Sequence, residues 1–227
     1  MAVSNLNDDF SQRASVHAGA VDWIASPMAG VDRKPLDRIG GEVARATSIV
    51  RYAPESRFSP HVHTGGEEFL VLEGVFQDEH GDFPAGTYVR NPPTTRHEPA
   101  SAPGCVILVK LWQFDLADRN QFRVDEGEMV FSAHRDGVEA ALLHRDAQEE
   151  VRMERWASGA TVSLPAQDGM EVFVVEGGFE DAGETFERWS WLRLPKGAGR
   201  SAVAGPAGAT VWVKTGHLSQ TPTGPQV

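Results

Sequence analysis

His61-Val62-His63 sets two imidazoles two positions apart, and in a β-strand that spacing points both to one face. Glu67 follows after Thr64-Gly65-Gly66, a turn able to swing a carboxylate back to the same point, and His97 comes later behind Pro92-Pro93. Three neutral imidazoles and one carboxylate suit Zn²⁺, Fe²⁺, Mn²⁺, Ni²⁺ or Cu²⁺, and without thiolates the set does not read as a closed structural zinc knot. Glu68 is the alternative carboxylate, but strand alternation sends it away from Glu67. His80 falls in a turn, and His17, His134, His144 and His217 lack companions at ligand spacing. Cys105, the one cysteine, lies on an apolar strand and reads as a packing residue that can form no internal disulfide.

Six further residues are expected to line a pocket at this site. Arg57 and Ser59 share strand parity with His61 and His63, and Arg57 is placed to meet an anionic ligand. Tyr88, Arg90, Lys110 and Trp112 lie on strands expected to border the same cavity. No catalytic residue and no organic cofactor is assigned.

The elements that must carry these residues are short runs rich in Val, Ile, Leu, Phe and Trp, separated by Gly, Pro, Asp and Asn. This pattern predicts an all-β sandwich or barrel. A short turn of helix is compatible with Val138 to Leu143. The chain also echoes itself. Gly30-Val31, Leu36 and Arg38 recur as Gly137-Val138, Leu143 and Arg145, and Arg51-Tyr52-Ala53 recurs as Arg155-Trp156-Ala157. The run Glu68 to Phe76 recurs as Glu171 to Phe179, followed by Pro92 against Pro195 and Val109-Lys110 against Val213-Lys214. Residues 21–120 and 121–218 therefore read as two copies of one unit, with tails at 1–20 and 219–227. In the second copy Leu164, Ala166, Met170 and Arg200 stand where the four ligands stood, or Pro165, Gln167, Glu171 and Ser201 in a register shifted by one. Neither set binds a transition metal well.

The first copy resembles the cupin superfamily, whose motifs read G-x5-H-x-H-x(3,4)-E-x6-G and G-x5-P-x-G-x2-H. His61, His63, Glu67 and Gly74 match the first motif, and Gly86, Pro92 and His97 match the second; Glu55, Thr94 and Ser101 depart at turn or surface positions. Residues 30–114 are most similar to the metal-binding cupin domain of ChrR-type anti-sigma factors. The resemblance implies two tandem cupin (double-stranded β-helix, jelly-roll) barrels from an internal duplication. It also implies one divalent metal, zinc foremost with Fe, Mn or Ni as alternatives, at His61, His63, Glu67 and His97. In that family a separate helical zinc domain binds the sigma factor, and no such segment stands here, so sigma-factor binding is not expected. A regulatory module that senses a reactive oxygen signal is the leading expectation. An Fe²⁺ dioxygenase or related small-molecule metalloenzyme is the alternative.

With 21 basic against 32 acidic residues the formal charge is −11, so neither nucleic acid nor an anionic membrane is an expected partner. There is no apolar run of about 18 residues, and the N-terminus lacks the basic-then-apolar order of a signal peptide. A cytoplasmic protein is expected, with a small-molecule ligand and a homodimer as the compatible associations.

Overall fold

A computed structural model describes residues 5–225. They form two compact units: one comprises residues 5–8, Trp23–Glu128 and 223–225, and the other comprises Asp9–Asp22 and Met129–Pro222. Among the described residues there is no α-helix, only strands and two 3-10 turns.

In the first unit, antiparallel strands run in the order Asn5–Leu6, Val31–Gly40, Ala44–Tyr52, Cys105–Leu111, Glu67–Asp78, Tyr88–Asn91, Phe122–Val124. Alternation along the three central strands gives the unit its core. Phe69, Val71, Val89, Ile107 and Val109 share one face and pack with Phe76 and Phe83. The long strand bends where Gly74 takes φ +71, and a Cβ there would lie 2.0 Å from the Gly104 carbonyl oxygen. Only glycine fits so close an approach.

In the second unit the order is Ser132–Arg135, Val138–Arg145, Glu150–Trp156, Arg200–Thr215, Met170–Asp181, Trp191–Leu194, Ala14–Val16. Its core is apolar throughout, with Val162, Leu164, Met170, Val172, Phe179, Leu192 and Val211 at its centre. Leu164, Ala166 and Met170 point into this core, whereas Pro165 and Gln167 are exposed. Three residues of the unshifted set thus face the core.

Three expectations change. Val138 to Leu143 is strand, not helix; a bulge between Leu142 and His144 breaks the alternation and gave the apolar residues their helix-like spacing. Within the expected tail at 1–20, the described residues 5–20 are not simply a tail. Asn5–Leu6 pairs with Val31–Gly40, and Ala14–Val16 pairs with Trp191–Leu194. Arg13 and His17 anchor the latter segment on Glu184, with His17 Nε2 2.7 Å from its Oε1. The first unit also runs past residue 120, because Phe122–Val124 adds an edge strand beside Tyr88–Asn91.

Candidate metal centre

His61 and His97 face each other across a two-stranded ladder, His61–Val62 against Arg96–His97. His63 lies just beyond the first of these strands, and Glu67 opens the long central strand, paired with Leu111 and Asn91. Three segments thus deliver the four donors. His63 Nε2 is 3.2 Å from His97 Nε2, and Glu67 Oε1 is 3.4 Å from His63 Nε2 and 3.6 Å from His97 Nε2. The His61 ring centroid lies 5.0 and 4.9 Å from those of His63 and His97. All four donor atoms lie within 4.8 Å of one another. A metal roughly 2.1 Å from each donor spaces them by up to roughly 4.2 Å, so small side-chain adjustments close the set.

The surroundings fix which atoms are free to ligate. Thr95 Oγ1 donates to the Pro92 carbonyl, so it accepts from His63 Nδ1–H at 3.0 Å. Asp78 Oδ2 accepts from His97 Nδ1 at 3.3 Å. Both imidazoles therefore turn an Nε2 lone pair inward. Glu67 Oε1 is buried there without a hydrogen-bond donor. Converging lone pairs and an orphaned carboxylate oxygen repel one another until a cation sits among them, so the residues fit a divalent metal.

Burial pushes the His63 imidazole below its ordinary pKa, opposed by Glu67 and reinforced by His97 and His61. It remains neutral and ready to bind. Burial opposes charge on His97 as well, but the hydrogen bond to Asp78 and the Glu67 and Glu79 carboxylates outweigh it and raise that pKa. A proton competes with metal at His97 up to higher pH than at His63.

Asp78 and Thr95 escaped the sequence reading. The available signal for Asp78 was its place at the end of the strand that Glu67 begins. Replacing Asp78 with Asn leaves His97 in place but weakens its orientation, and metal affinity is expected to fall about 10–100-fold. Titration against a fluorescent chelator measures this; unchanged affinity would remove Asp78 from the site.

A cavity of about 280 Å³ reaches His61, His63 and Glu67. Its walls include Met28, Val50, Tyr52, Phe58, Leu111 and Trp112. His97 sits behind the other ligands, 3% exposed, against Phe76.

Of the six expected lining residues, Trp112 borders the cavity, with its backbone at φ +58 where the strand ends. The other five do not. Arg57 is exposed and pairs with Glu98, and Ser59 is exposed, because Ser56–Arg57 and His61–Val62 are separate strands and parity does not carry across the gap. Tyr88, Arg90 and Lys110 are buried on the opposite face of the sheet. Tyr88 donates to Glu68 at 2.6 Å, Arg90 pairs with Asp118 at 2.8 Å, and Lys110 donates to Thr47 at 2.9 Å. Glu68, their neighbour in register, shares that face, as alternation from Glu67 requires.

In the second unit, Asp181 holds the place of Asp78 but receives Arg200 at 3.2 Å where His97 stood. His144, Asp146 and Glu149 also lie close together. Asp146 already accepts two backbone N–H groups, and Glu149 pairs with Lys214 at 2.9 Å, so this cluster reads as a capped turn. Cys105 is buried, and burial raises its thiol to about 11, which keeps it protonated.

Residues 11–115 match the family model of the ChrR cupin-like domain. This stretch is similar to the ChrR-type cupin domain. Cupin-type structures also align along nearly the whole chain. A candidate dioxygenase of Nostoc punctiforme is 13% identical, with a TM-score of 0.77 over 96% of this chain and 87% of that one. The Escherichia coli protein YlbA is 13% identical, with a TM-score of 0.69 over 94% and 93%. The bacterial pirin YhhW of Escherichia coli, in complex with nickel(II), is 14% identical, with a TM-score of 0.63 over 90% and 99%. At these identities the cupin likeness is one of fold. No curated protein sequence matches the chain, and no helix of the described residues is long and apolar enough to cross a membrane.

Proposed function

We propose that this cupin is a metal-dependent enzyme of the dioxygenase type, acting on a small molecule bound over His61, His63, Glu67 and His97. The observation that carries this is the cavity. It opens onto three of the four candidate ligands, and its volume of about 280 Å³ lies just under the roughly 300 Å³ at which small-molecule sites begin. A closed sensor or structural site has no need of such a space. Its only lining carboxylate and imidazoles are Glu67, His61 and His63, the proposed ligands themselves. No separate general base faces the space, which disfavours an isomerase or hydrolase and favours chemistry centred on the metal. Fe²⁺ is the metal this reading prefers; when bound it supplies Lewis acidity and redox capacity. The chain's own residues bind and orient the substrate, and the apolar walls exclude water.

A zinc-holding, ChrR-like sensor is the second reading, favoured by the family match over residues 11–115. The two readings differ in whether the metal keeps an accessible position. Electron paramagnetic resonance of the Fe²⁺-loaded chain exposed to nitric oxide is expected to show a high-spin iron–nitrosyl signal. Its absence in iron-replete protein supports the sensor.

We also propose that the two units descend from an internal duplication. Glu68, Tyr88, Arg90 and Lys110 recur as buried Glu171, Trp191, Arg193 and Lys214, and Trp191 donates to Glu171 at 3.1 Å as Tyr88 does to Glu68. The second unit then keeps the packing and has lost the metal. A cytoplasmic location belongs to the same proposal, with no sigma factor or nucleic acid as partner.

A further inference from the structure

The cavity lining also carries two arginines, Arg33 and Arg38, both on the strand Val31–Gly40. Five positions apart, they would lie on opposite faces of a regular strand. A bulge between Pro35 and Asp37 changes the phase. Arg33 pairs with Val50 and Arg38 with Ala46, and all four of these residues line the cavity. The extra residue, Leu36, is fully buried. The bulge therefore re-aims a side chain into a pocket, a recurrent use of this irregularity.

Neither arginine forms an ion pair with a carboxylate of the described residues. Arg33 donates to Ser26 Oγ, and its Nε is buried with no partner. Arg38 donates to the carbonyl oxygens of Gly40 and Gly41. Burial, and then the charge of Arg33, lower the Arg38 pKa from its ordinary value. Two guanidinium groups thus share one space whose single lining carboxylate, Glu67, is a proposed metal ligand and ion-pairs with neither of them. In the second unit, Ala140 takes the place of Arg33, and Arg145 pairs with Glu150. The pair belongs to the unit that has the metal ligands.

We infer that Arg33 and Arg38 bind the acidic head of a small organic carboxylate whose apolar body lies along Met28, Phe58 and Trp112, toward the metal ligands. The inference deepens the enzyme reading by naming its substrate class. Planar guanidinium donors suit carboxylate oxygens, and the apolar wall accommodates a short aliphatic or aromatic body. Neutral ligands of the same shape bring neither guanidinium a charged partner.

The test is isothermal titration of the metal-loaded full chain with acetate, butanoate, hexanoate and phenylacetate, each beside its amide. The longer acids are expected to bind about tenfold or more tightly than their amides. Arg33→Gln and Arg38→Gln should each remove most of that preference with metal content unchanged, while Arg38→Lys retains part of it. Absence of binding by every acid, equal affinity for the amides, or a preference that survives both glutamine variants overturns the inference. Acid preference in a wild-type chain that retains no metal would instead sink the enzyme reading and leave the arginine pair standing.

Discussion

Gly74→Ala is expected to destabilise the first unit by about 3 kcal/mol or more. Two costs combine there. The residue holds φ +71, where an L side chain is strained, and a Cβ would lie 2.0 Å from the Gly104 carbonyl oxygen, which is backbone and cannot rotate away. The same oxygen sits 3.4 Å from the amide of Val75, so relieving the clash pulls apart the paired strands that bring Glu67 to the site. Gly127→Ala is the control: nothing lies within 4 Å of a Cβ there, and its φ is not in the left-handed region. Urea denaturation with both variants reads the difference. A Gly74→Ala chain as stable as the control would show that the strand bends for another reason.

Glu67→Gln is expected to change sign with metal. In the presence of a chelator, the wild-type chain keeps a buried carboxylate oxygen without a donor, close to two imidazole lone pairs. Glutamine removes that charge and offers an N–H to either Nε2, so the metal-free variant should be at least as stable as wild type. With metal the order reverses. A ligand bound only by the folded state stabilises it by about 2.7 kcal/mol at a free concentration one hundred times its dissociation constant. Glutamine, a weaker and neutral donor, gives up most of this gain. Thermal unfolding with and without Zn²⁺ measures both arms. An equal metal-induced shift in the two proteins would take Glu67 out of the ligand set.

The candidate ligand cluster was legible because its residues are local: His61, His63 and Glu67 lie within one short stretch, and His97 follows at a fixed motif interval. The all-β class was legible for a similar reason, since alternation and turn residues repeat along the chain. What the sequence hid depends on pairing between distant strands. Tyr88, Arg90 and Lys110 could be placed only through register with Glu68, and that register turns them away from Glu67. The parity of Phe69, Val71, Val89 and Val109 with Glu67 was the overlooked clue. Arg33 and Arg38 were hidden by the bulge, which no alternating pattern announces. Asp78 and Thr95 act on imidazole atoms across the site, 19 and 32 residues from the histidines they orient.

We propose that the first unit holds one divalent metal through His61, His63, Glu67 and His97. Plasma mass spectrometry of the full chain, purified without chelator or affinity metal beside His61→Ala, tests it most directly. About one metal per wild-type chain is expected, lost in the variant while the chain remains folded. No metal in the wild type, or equal metal in both proteins, contradicts it.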